Sequence, residues 1–120
     1  LGISVDEPAN VLTTRVADLA SQTAAFLGQD WSFSPRDVLV DDHYTGGGYA
    51  VMGEPEIEAI RMFSQLEALL LDPVYTGRAG AGMIDLIHKG FFASTETVLF
   101  WHTGGGPALF ASLYQDRLIE

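Results

Sequence analysis

The chain has 120 residues, 48% of them hydrophobic, a formal net charge of −10 and no cysteine. That composition supports a buried core and excludes a disordered chain. One lysine and five arginines are too few to hold a nucleic-acid backbone, disulfides and thiolate metal sites are ruled out, and no apolar run approaches the length of a bilayer. One domain spanning 1–120, in a cytoplasmic setting, is expected.

Gly2–Val5 reads as a short strand. Val11–Leu27 follows as a helix, with Leu12, Val16, Leu19, Thr23, Phe26 and Leu27 forming one buried stripe. Pro8 suits its first turn and Gly28 its stop. Trp31–Arg36 is loop, Val38–Val40 a second strand, and Tyr44–Tyr49 a glycine-rich loop between two tyrosines. Pro55 opens a second helix with Ile57, Ile60, Phe63 and Leu66 on one face, and Pro73 marks a break. A third helix is predicted from about Ala79 to Lys89, apolar at Met83, Ile84, Leu86 and Ile87 and closed by Gly90. Thr97–Trp101 reads as an apolar strand buried on both faces, and Pro107 opens a last helix through about Tyr114. Strands alternating with helices predict an α/β fold on a parallel sheet. In such sheets ligands sit beyond the carboxyl ends of the strands. Asp41–Tyr49, Asp72–Gly77 and His102–Gly106 would gather at that edge.

His102-Thr103-Gly104-Gly105-Gly106-Pro107 is either a ligand-binding turn or a plain strand-to-helix turn. Tyr49 and Tyr75 stand in glycine-flanked loops, where a tyrosine either carries a proton or anchors the loop by packing. Asp41, Asp42 and His43 invite a metal, but sequence neighbours on an extended chain point apart, so no shared ion is expected. Asp85 and His88, at helical i, i+3 spacing, read as a solvated helix face.

Taken together, Leu71-Asp72-Pro73-Val74-Tyr75-Thr76-Gly77-Arg78-Ala79, Gly82-Met83-Ile84-Asp85-Leu86-Ile87 and Val98-Leu99-Phe100-Trp101-His102-Thr103-Gly104-Gly105 form a recognisable set. In that order and spacing they resemble the C-terminal part of the D-cysteine desulfhydrase and 1-aminocyclopropane-1-carboxylate deaminase family. The resemblance implies a fold-type II pyridoxal-phosphate enzyme related to the tryptophan synthase β-subunit. The chain would then be the later part of its large domain, a three-layer α/β unit on a parallel sheet. The family's Schiff-base lysine and phosphate loop would lie upstream. Lys89, the only lysine, ends a helix beside Gly90, a place for a solvated cation. The start at Leu1, with neither leader nor initiator methionine, gives the expectation of a fragment, and the absence of the Schiff-base lysine that of a chain inactive alone.

By the same resemblance Tyr75 and Tyr49 are the active-site tyrosines that contact an amino-acid substrate and assist proton transfer. Thr103, with Gly104 after it, matches the position beside the cofactor's pyridine nitrogen, and His102 orients the turn. Thr76 stands where the deaminases carry a carboxylate, as it does in the desulfhydrases. The implied reaction is β-elimination from D-cysteine. Aminocyclopropane-carboxylate deamination, L-cysteate sulfo-lysis and a non-catalytic association module are the alternatives. Gly48-Tyr49-Ala50 departs from the family's Gly-Tyr-Gly, which bears on the shape of that loop. The expected partners are the missing N-terminal segment or a second copy, with the full-length protein a homodimer.

Overall fold

The computed structural model describes residues 1–119. Strand β1 (Gly2–Ile3) pairs in parallel with β2 (Val40–Asp41), Gly2 opposite Val40 and Ile3 opposite Asp41. Between them run helix α1 (Ala9–Phe26) and a single 3-10 turn at Pro35–Asp37. The strand–helix–strand order and the parallel pairing are those of an α/β fold. Pro8 precedes α1 as read from the sequence, but the carboxylate of Asp42 supplies the missing cap by accepting the Ala9 N–H at 2.7 Å.

Helix α2 (Glu54–Glu67), helix α3 (Thr76–His88) and helix α4 (Ser112–Ile119) enclose the core: Met52, Ile57, Ile60, Phe63, Leu71, Val74 and Tyr114. Glycines set the closeness of α2 and α3. A methyl group on Gly80 would meet the Leu71 side chain at 2.8 Å, and one on Gly77 would meet the Asp72 carbonyl at 2.5 Å. The buried face of α3 is therefore made of small residues with Arg78 and Leu86. Of the four apolar positions read from the sequence only Leu86 is buried, and Ile87 is exposed. In α2, Ile57, Ile60 and Phe63 are buried and Leu66 is not. Each three-residue step falls short of a full turn, so by Leu66 the stripe has rotated about 180° from Ile57.

Two further expectations are corrected. Helix α1 buries Ala17 and Ala24, while Val16, Leu19 and Phe26 face outward. Thr97–Trp101 is extended but joins no strand among the described residues, and Leu99 and Trp101 are almost four-fifths exposed. A two-sided apolar strand needs a neighbour on each edge and a layer on each face, and the two-stranded sheet provides neither at this position. The last helix also starts later than Pro107 indicates: a 3-10 turn spans Gly106–Phe110 before α4.

Candidate functional site

The segment 72–78 builds the site's frame. Asp72, fully buried, accepts the backbone N–H groups of Val74 (2.7 Å), Tyr75 (2.8 Å) and Thr76 (2.7 Å), the orphan donors at the start of α3. The Thr76 hydroxyl donates to the same carboxylate at 2.8 Å and accepts the Asp72 N–H at 2.9 Å. Burial opposes ionisation of Asp72, but these donors outweigh it and hold the carboxyl below its ordinary range. This turn adds a helical turn before Ala79, and it leaves Tyr75 half-exposed at the helix entrance.

Tyr75 meets Tyr49 there. The two hydroxyls share a short hydrogen bond, and the rings stand edge to face with centroids 5.9 Å apart. The bond to Tyr49, then partial burial and nearby negative charge, raise the Tyr75 pKa above the ordinary phenol value. Tyr49 is carried by a tightly wound loop in which Gly46, Gly48 and Ala50 all have positive φ. Ala50, at φ 61°, occupies the left-handed region that favours glycine. The loop keeps that shape because its carbonyls are held: Gly48 and Val51 by Arg78 at 3.0 and 2.8 Å, and Ala50 by the Tyr114 hydroxyl at 2.7 Å.

The glycine turn closes on the same frame. His102 accepts the Gly104 N–H on Nδ1 at 3.0 Å and donates from Nε2 to the Leu70 carbonyl at 3.1 Å. Gly104 and Gly105 have φ 106° and 92°. A side chain on Gly105 would lie 2.5 Å from the Asp72 carboxylate, so glycine is required for this approach. The Gly104 carbonyl comes within 3.5 Å of the Thr76 hydroxyl. Tyr75, Thr76 and Thr103 thus line one cavity of about 720 Å³. Its floor is the Ala79, Met83 and Leu86 face of α3, and its sides are β1 and residues 97–101. Tyr49 reaches it through Tyr75, and His102 lies behind the turn.

The acidic cluster differs from its sequence reading. A turn brings one ligand atom each from Asp41, Asp42 and His43 within 4.8 Å of one another. All three groups are already engaged, Asp41 and His43 with each other at 2.7 Å and Asp42 with the start of α1. Lys89 forms an ion pair with Asp85 at 2.6 Å, and Asp85 also accepts the Tyr44 hydroxyl at 2.6 Å. Burial, then that bond, pushes the Tyr44 pKa up to about 12.

No family model matches the chain. Over 117 residues it is 39% identical to the 1-aminocyclopropane-1-carboxylate deaminase of Methylobacterium nodulans, a match covering 96% of this chain and 35% of that protein. Over 111 residues it is 37% identical to the D-cysteine desulfhydrase of Yersinia enterocolitica, covering 92% and 33%. A crystal structure of an ACC deaminase homologue superposes with a TM-score of 0.79 at 35% identity, over 98% of this chain and 34% of that one. The chain is homologous to the C-terminal part of aminocyclopropane-carboxylate deaminases and D-cysteine desulfhydrases. It spans about a third of the length of the curated relatives it matches, and its α/β fold is the fold-type II architecture of its structural relative.

Two residues of this deaminase and desulfhydrase homologue that organise the site carry no role in the sequence reading: Asp72 and Arg78. For Asp72 a signal existed. An aspartate can turn the chain by accepting backbone N–H groups two to four residues on, a signal hidden here because the apolar periodicity begins only at Met83. Arg78 gave no signal, because an arginine on a helix reads as a solvated cation until its buried acceptors are seen.

Proposed function

We propose that the chain is the cofactor-edge and substrate-facing part of a pyridoxal-phosphate-dependent carbon–sulfur lyase acting on D-cysteine. The observation that carries this reading is the joining of the Tyr49–Tyr75 hydroxyl pair to the cavity wall that presents Thr103. The fit to the cofactor is to its ring edge. Thr103 offers a hydroxyl to a pyridine nitrogen, and the space beside Gly104 is open, with nothing within 4 Å of where a side chain would start. Among the described residues the cavity lining holds no lysine or arginine, so the phosphate and the covalent link call for groups outside this wall. When bound, pyridoxal phosphate supplies an electron sink for bond-breaking at the substrate's α-carbon.

Tyr75, its proton held more tightly than an ordinary phenol's, hydrogen-bonds the substrate and retains its proton at neutral pH. Tyr49, sharing that proton position, passes or receives it at the departing group. Thr76 keeps the ring-edge turn in place through Asp72 and the Gly104 carbonyl. Position 76 carries a hydroxyl in place of the carboxylate of the deaminase motif, which favours the desulfhydrase over the deaminase reading. In balance, D-cysteine and water give pyruvate, ammonia and sulfide. A chimera tests this: the matching third of the Yersinia desulfhydrase is replaced by this chain. Sulfide release from D-cysteine, lost in Tyr75→Phe, is the expected result. Ammonia release from aminocyclopropane-carboxylate without sulfide from D-cysteine would overturn the substrate assignment.

A second reading concerns association, and the cavity favours it. The slot between β1 and residues 97–101, floored by the apolar face of α3, has the form of a place for a β-strand. Its occupant in this reading is the remaining part of the polypeptide or a second copy, in a homodimeric protein. The isolated chain forms no covalent link to the cofactor, because Lys89 is outside the cavity and paired with Asp85. A borohydride-stable cofactor adduct on the purified chain would refute that.

A further inference from the structure

Arg78 is almost fully buried, with 1% of its surface exposed, and it is the largest fully buried side chain of the molecule. Its Nε donates to Glu56 Oε1 at 2.8 Å; Nη1 donates to the Val5 carbonyl at 2.6 Å and to the Gly48 carbonyl at 3.0 Å; Nη2 donates to the Val51 carbonyl at 2.8 Å. Glu56 is buried as well, and its second oxygen accepts the Gly53 N–H that opens α2, at 2.8 Å. The guanidinium therefore joins three segments at once: the turn after β1, the Tyr49 loop and the start of α2. It does so from the first turn of α3, three residues after Tyr75.

Removing two charges from water is costly, and this pair is offset only because nearly every donor and acceptor is used. Its energetic balance is not the reason to expect arginine here; its geometry is. A planar fork can hold the carbonyls on both sides of Tyr49 in one plane, whereas an ammonium is a point charge on a flexible stem. We propose that Arg78 is a positioning residue that holds the Tyr49 loop so that the Tyr49 hydroxyl meets that of Tyr75. The role rests on the tyrosine pair being the proton-handling pair of the site, but the pairing itself is measurable without cofactor.

The test is site-resolved NMR titration of the labelled tyrosines in the chain, through alkaline pH, for wild type, Arg78→Lys, Tyr49→Phe and the double variant. Tyr75 is faced by Tyr49, Asp72 and Asp6, and all these variants retain Asp72, Asp6 and the positive charge at or beside the clamp. The expected result is that Arg78→Lys lowers the Tyr75 midpoint as far as Tyr49→Phe does, with no further drop in the double variant. An unchanged Tyr75 midpoint in Arg78→Lys, or additive shifts in the double variant, would overturn the proposal whatever happens to thermal stability. Should Arg78→Lys fail to fold, the guanidinium signals of the unsubstituted chain decide. Slowly exchanging, separately resolved N–H signals close to the 48–51 loop support the clamp, and one averaged, freely rotating guanidinium refutes it. Failure of the chimera to release sulfide would leave these outcomes standing, so the two ideas fail separately.

Discussion

Ala50 shows how one side chain records a constraint. Its φ of 61° places an alanine where L-residues are strained by about 1–2 kcal/mol, and three hydrogen-bonded carbonyls hold it there. Ala50→Gly removes the strain but loosens the unfolded chain, so a net gain of up to about 1 kcal/mol is expected in chemical denaturation. Gly105 is the converse. Its φ of 92° and its closeness to the Asp72 carboxylate leave no room for a methyl group. Gly105→Ala should cost about 2 kcal/mol or more and should broaden the NMR signals of Thr103 and His102 on the displaced turn. The sequence showed glycines at this turn and tyrosines facing the site, because those residue types advertise their use. It could not show that Arg78 lies inside or that Asp72 is the hub of four bonds, because burial of a charge depends on acceptors distant in the chain. The carbonyls of Val5 and Gly48 lie 73 and 30 positions from Arg78.

The helices and the two short strands at Gly2–Ile3 and Val40–Asp41 were legible in the sequence, and the strand read at Thr97–Trp101 was not. Three helices start within three residues of where periodicity and proline placed them, whereas α4 begins at Ser112, five residues past Pro107. Their buried faces were read less well, because α3 packs through glycines rather than through its large apolar residues. Strands draw their identity from neighbours, and Thr97–Trp101 has none among the described residues. The start of α3 makes an element-scale prediction. The Asp72 pKa is lower in the folded chain than its ordinary 3.8, so the carboxylate contributes stability that is complete above that value and lost as pH falls through the folded one. Asp72→Ala should therefore cost about 2 kcal/mol near neutrality. The gap between variant and wild-type melting temperatures should narrow only below pH 3.8. A gap that stays constant into strong acid would show that the carboxylate's charge is not what caps the helix.

At the scale of the molecule the chain is expanded. The Cα radius of gyration is 15.9 Å, against about 13.6 Å for a self-contained domain of this length. The accessible surface is 8080 Å² for a 13.0 kDa chain, about 1,700 Å² more than the monomer scaling gives. The excess is about twice the ~800 Å² that one partner contributes to a standard protein interface. It coincides with an uncovered α1 face at Val16, Leu19 and Phe26, and with the slot beside residues 97–101. Light scattering over a tenfold dilution should find the purified chain self-associated; a monomer with a cooperative thermal transition at every concentration would show that these surfaces need no cover. Among the described residues no helix is long and apolar enough to cross a membrane. Trp101 gives the slot an optical readout of its own. It is one of the residues lining the cavity and is 78% exposed, while Trp31, the other tryptophan, lies outside that lining. An occupant that packs on that ring, a strand of the same polypeptide or of another, dries it, so with Trp31 replaced by phenylalanine the emission of the remaining tryptophan is expected to shift to shorter wavelength as the slot fills.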